Sequence, residues 1–161
     1  MQSRKLTRAI LIIYLIGLIW IILFKFQFTL EGIRSFNMRN VNLVPFAGTG
    51  DSDELINNVL IFVPYGLLSC MLWRDRNFFL KLAPIFFTSL VFEVLQYVFW
   101  IGISDITDLL GNTLGGLIGM TLFYIFSFIL KDKVYKALNV ISLIAALFIL
   151  IFITILTLTN L

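Results

Sequence analysis

Long apolar runs separated by short polar segments set the plan of this chain. Five runs, approximately Ala9–Phe28, Ile56–Trp73, Leu82–Ile103, Leu109–Leu130 and Ala137–Leu158, stand out in the sequence. Each is long enough to cross about 30 Å of hydrocarbon at about 1.5 Å per helical residue. The pattern predicts an all-α integral membrane protein, a bundle of about five transmembrane helices in one domain over residues 1–161. Lys25 falls near the end of the first run, where its stem can reach the interface. Pro64 lies inside the second run and predicts a kink, because proline removes an internal hydrogen bond.

Charge gives the bundle a direction. Arg4, Lys5 and Arg8 precede the first run, and the opening MQSRKLTR reads as the start of an uncleaved signal anchor. Arg74, Arg76 and Lys81 lie between the second and third runs, and Lys131, Lys133 and Lys136 between the fourth and fifth. The third connection and the C-terminal tail carry no basic residue. Only the long first connection is mixed, with Lys25, Arg34 and Arg39 against Glu31, Asp51, Asp53 and Glu54. The positive-inside rule therefore predicts a cytoplasmic N-terminus and an extracellular C-terminus.

Composition agrees with this class. The chain is 60% hydrophobic with a mean hydropathy of +1.02, where soluble domains use about 45–50% apolar residues. The net charge of +3 is accounted for by residues at the ends of runs, so no nucleic-acid partner is expected. There is no His, which excludes imidazole ligands and a His general base. The one cysteine, Cys70, sits in an apolar run and reads as a small packing residue. No resident metal or cofactor is expected, and nothing in the pattern specifies an oligomeric state.

The polar residues inside the runs carry the candidate chemistry. Ser89, Glu93, Gln96 and Trp100 recur at helical spacing and share one face of the third run. A carboxylate at that depth costs several kcal/mol unless it is paired, hydrated or protonated. Glu93 is either a hydrogen-bonding link between helices or part of a polar cavity. Ser104 is expected to cap the next helix, with Asp105 and Asp108 favoured at its positive end. Asp105, Asp108 and Asn112 also share a face, and Gly111, Gly115 and Gly119 recur every four residues, a pattern of close helix packing. In the first connection, VNLVPFAGTGDSDE contains turns at Pro45, Gly48 and Gly50 and starts a helix near Asp51 or Ser52. Leu43, Val44 and Phe46 are apolar enough to enter the outer leaflet. These features predict an outward-facing pocket around Glu93, with Asn57, Asn58, Gln96, Asp105, Asp108 and Asn112 as candidate partners.

As an ordered set, NLVPF, NNVLIFVPYG, S-x3-E-x2-Q and D-x2-D-x3-N-x2-GG-x2-G, from Asn42 to Gly119, resemble the VanZ-like family. The run at 137–158 is then an additional C-terminal helix beyond the motif core at 42–119. The resemblance implies a multi-pass cell-membrane protein of Gram-positive bacteria that lowers susceptibility to teicoplanin and related lipidated glycopeptides, with little effect on vancomycin. It carries over Asn42, Pro45, Phe46, Asn58, Pro64, Gly66, Glu93, Gln96, Asp105, Asp108, Asn112, Gly115 and Gly119.

Two functions fit. The first is a binding module in which Asn42, Asn58, Glu93, Gln96, Asp105, Asp108 and Asn112 hold an envelope lipid, a lipid-linked cell-wall precursor or teicoplanin itself. Teicoplanin carries an acyl tail and vancomycin does not, a difference that a protein confined to the membrane can detect. The second is an enzyme acting on a polyprenyl- or glycolipid phosphate, with Glu93, Asp105 and Asp108 as a metal or acid/base site. Against the enzyme, the sequence shows no P-loop and no nucleophile with a partner, and only Arg34 and Arg39 are placed to meet a phosphate.

Overall fold

The structure, a computed structural model, describes residues 2–24, 38–46 and 52–159. Lys25, Glu31, Arg34, Gly48, Gly50 and Asp51 lie outside these residues. The protein is mostly helical: α1 (Gln2–Phe24), α2 (Ser52–Leu72), α3 (Phe78–Phe99), α4 (Ile106–Leu130) and α5 (Val134–Thr159). Among the described residues, four helical stretches are long and apolar enough to cross a membrane: Arg4–Leu23, Glu54–Leu72, Phe78–Phe99 and Ile106–Ala145. The last runs from α4 through a 3-10 turn at Lys131–Lys133 into α5. It thus includes the run expected at 109–130 and the start of the one expected at 137–158.

The expectation of an all-helical fold needs one correction. Met38–Asn42 and Ile101–Asp105 form strands β1 and β2, which pair in parallel with Asn42 opposite Asp105. A parallel pair needs a crossover connection, and α2 and α3 supply it. The third helix therefore stops at Phe99 rather than Ile103, with Trp100 in the left-handed region at φ 59° as its C-cap. For a bulky residue this costs about 1–2 kcal/mol. It reverses the chain so that β2 doubles back along the end of α3.

Local sequence accounts for the helix ends. Asn77 caps α3 by accepting the Leu80 N–H at 2.9 Å. Asp105 caps α4 by accepting the Thr107 N–H at 2.7 Å. The cap is thus Asp105 and not Ser104, whose hydroxyl is turned back to the Glu93 carbonyl. Pro64 and Pro84 lie inside α2 and α3.

Helices α2 and α4 approach backbone to backbone. A Cβ on Gly115 would lie 2.1 Å from the Val59 carbonyl oxygen, and one on Gly119 would lie 2.0 Å from that of Val63. The small-residue stripe of α4 is therefore the seat of α2. Around this seam Phe62, Leu68 and Met71 of α2 pack with Ile85 of α3 and Met120 of α4. Helix α1 closes the bundle through Leu18 and through a Tyr14 hydroxyl that donates to the Ile61 carbonyl. Thr7 donates to Asn139 at 2.9 Å, tying the start of α1 to α5. The outer faces are apolar: Phe128 is 85% and Phe79 76% exposed. Water would penalise such surfaces, and lipid would not.

Candidate functional site

The ribbon and the start of α4 bring Asp105 to Glu93 near the C-terminal end of α3. Glu93 is buried, and its Oε2 accepts the backbone N–H of Asp105 at 2.9 Å. The Ser104 hydroxyl donates to the Glu93 carbonyl at 2.6 Å. The strand that follows α3 is thus tied to Glu93 through both its side chain and its backbone. A hydrogen bond of this kind contributes about 0.5–1.5 kcal/mol net, which offsets part of the burial cost.

Asp105 joins three segments. Its Oδ1 caps α4, and its Oδ2 accepts the Asn42 side-chain N–H at 2.9 Å from β1. Partial burial by itself pushes this carboxyl up, but donation from Thr107 and Asn42 outweighs burial and holds it below its ordinary value of 3.8. The segment after β1 folds over the same point. Val44 N–H donates to the Asn42 side chain at 3.1 Å, and Phe46 N–H to the Thr107 hydroxyl at 3.1 Å.

The remaining expected residues form a ladder further into the bundle. Asn58 of α2 donates to Asp108 of α4 at 2.8 Å. Asn112, one turn deeper, is fully buried and donates to Ser89 of α3 at 2.9 Å. Each rung joins α4 to a neighbour, and the glycine seam holds α2 close enough for the first. Gln96 does not join the ladder. It is buried and donates to the Ile22 carbonyl of α1 at 3.4 Å. Asn57 is exposed. Ser104 and Thr107 were not among the expected site residues; the Asp-x-Thr spacing at the cap is the signal that marks Thr107.

Glu93 and Asp105 border a groove of about 260 Å³ that is otherwise walled by Val41, Leu43, Leu90, Val94, Tyr97 and Leu109, among others. The groove surface is apolar, and the carboxyl oxygens turn instead toward their hydrogen-bond donors. It is therefore less polar than the expected pocket, because the polar atoms satisfy one another. Among the described residues, Glu93, Asp105 and Asp108 do not gather into a three-ligand metal set. The nearby serines donate to a carbonyl or accept from an amide, and neither is paired with a base.

These features define a polytopic membrane protein with a carboxyl and carboxamide network beneath a short parallel ribbon. A family model described as VanZ/LLP1 matches residues 11–127, and the chain belongs to that family. It is 41% identical over 122 residues to "Protein VanZ" of Enterococcus faecium, a match covering 76% of each chain. No solved structure matches it.

Proposed function

We propose that this protein resides in the cell membrane and lowers susceptibility to teicoplanin and related lipidated glycopeptides by binding an amphiphile at the Glu93–Asp105 groove. The observation that carries this reading is the groove itself, where apolar walls of acyl-chain character meet two carboxyl-bearing residues. The apolar surface suits a lipid tail. Glu93, Asp105 and Asn42 lie beside the groove, and a sugar or peptide head would reach their acceptors by exchanging with the internal donors that now occupy them. The occupant is the drug's acyl tail beside its sugars, an envelope lipid or a lipid-linked cell-wall precursor. Asp105, whose carboxyl is held below its ordinary value, disfavours a bare phosphate beside it, which weighs against chemistry on a lipid phosphate at this point.

On this reading the chain crosses the membrane five times, with α4 and α5 as separate spans joined at the basic turn Lys131–Lys133. The N-terminus is cytoplasmic and the C-terminus extracellular. Supporting this, Arg4 at the start of α1 pairs with Asp75 between α2 and α3 at 3.3 Å, which gathers basic connections at one end.

The test is expression in a susceptible Gram-positive host. Teicoplanin tolerance is expected to rise while vancomycin tolerance stays unchanged, and Leu90→Trp, which fills the groove, is expected to abolish the gain at normal protein level. Equal protection against both drugs would contradict recognition of the lipid tail.

A further inference from the structure

A second cavity, of about 420 Å³, lies at the basic end of the bundle. Its lining includes Arg74 and Lys81 from the α2–α3 side, Tyr124 and Ser127 from α4, Lys131 from the turn after it and Tyr135 from α5. Lys81 and Glu93 share α3 and lie about 18 Å apart along it at about 1.5 Å per residue, so this cavity is remote from the groove.

Lys81 is 5% exposed, unusually low for a lysine. Its ammonium donates to the Tyr124 hydroxyl at 3.1 Å. The same nitrogen is 5.5 Å from the ring centroid, so it sits beyond the hydroxyl rather than over the ring face. Among the described residues no carboxylate lies within ion-pair distance of it. One neutral phenol does not balance a buried ammonium, which retains unused donors. The Arg74 guanidinium lies 5.6 Å over the Tyr135 ring, and both residues line the cavity. Among the described residues the buried Tyr135 hydroxyl has no hydrogen-bond partner. The lining holds Arg74, Lys81 and Lys131 against one carboxylate, the exposed Asp132.

We propose that this cavity binds a phosphate group, borne by a phospholipid headgroup or free in solution. A phosphate would supply the anion that Lys81 lacks and acceptors for the Arg74 fork and the Tyr135 hydroxyl. Basic pockets between membrane helices are built for such headgroups. The volume lies within the range of about 300–1,000 Å³ for small-ligand sites.

The experiment uses the full chain in a neutral detergent, titrated with phosphatidylglycerol, inorganic phosphate or diacylglycerol. Affinity is read from the shift in melting temperature and from native mass spectra. Phosphatidylglycerol or phosphate is expected to bind wild type, and diacylglycerol is not. Lys81→Gln and Arg74→Gln are each expected to weaken binding about tenfold to a hundredfold, the share of one charge-assisted hydrogen bond. If Lys81→Gln fails to fold, the exposed Arg74 decides the matter. Phosphate that binds and displaces the lipid identifies a soluble occupant, whereas lipid binding that phosphate does not affect identifies a headgroup. Equal affinity of both variants and wild type, binding of diacylglycerol as tight as that of phosphatidylglycerol, or no binding of either phosphate probe would overturn the proposal.

Discussion

Glu93 Oε2 lies 2.9 Å from the backbone nitrogen of Asp105, twelve residues further along the chain. The left-handed Trp100 makes this approach possible by turning the chain back at the end of α3. One carboxyl group thereby holds the strand that positions the next, and Asp105 in turn holds Asn42 of the facing strand. The site behaves as a unit: it couples the ribbon, the cap of α4 and the end of α3.

Asp105 ties this unit to pH. Its folded-state pKa is lowered below 3.8, so its stabilising contribution is complete above that value and is lost as pH falls through the folded pKa. Asp105→Asn keeps a cap but loses the charge. The variant is expected to be less stable than wild type by about 1 kcal/mol at pH 7, the difference between charge-assisted and neutral hydrogen bonds. The gap should narrow as the acid range is entered. Melting temperatures of both proteins in detergent from pH 7 downward check this, and a gap that widens in acid would reverse the assigned sign.

The glycine seam separates two kinds of glycine. Gly119→Ala drives a methyl into the Val63 carbonyl and is expected to cost about 1–3 kcal/mol by forcing α2 from α4. Gly17→Ala meets no atom within 4 Å and is expected to be neutral or to stabilise α1 by up to about 1 kcal/mol. Thermal unfolding of the two variants side by side decides it. Equal effects would mean that the seam is not tightly packed.

Much of this architecture is legible in the residues. Apolar length marks the helices, and helical spacing places Asp105, Asp108 and Asn112 on one face. Asn42, Asn58 and Ser89 are legible as polar residues of the same set, but which of them each bonds is fixed only once the helices are docked. The ribbon is hidden because MRNVN is short and polar, IGISD reads as the end of the third apolar run and the turn after it, and the two pair across more than sixty residues. No local period encodes such a pairing. Lys81 is hidden for a related reason. It reads as one more basic residue of a connection, but Asn77 starts α3 early enough to carry it into the bundle.

Topology is open to chemical labelling. In a Cys70→Ala background, Val44→Cys on the exposed segment after β1 is expected to react with an impermeant thiol reagent in intact cells. Arg76→Cys, in the basic connection, is expected to react only after permeabilisation. The opposite pattern would invert the proposed orientation.

The most direct test of the Glu93 network is Glu93→Gln. The glutamine oxygen can still accept the Asp105 N–H, so the ribbon and the fold are expected to survive, but the ionisable group is gone. Membrane abundance, melting temperature and teicoplanin tolerance should be measured on the same cultures. The expected result is near-normal protein with protection lost. Normal abundance with undiminished protection would contradict the account, leaving Glu93 as a hydrogen-bonding link between α3 and the ribbon and nothing more.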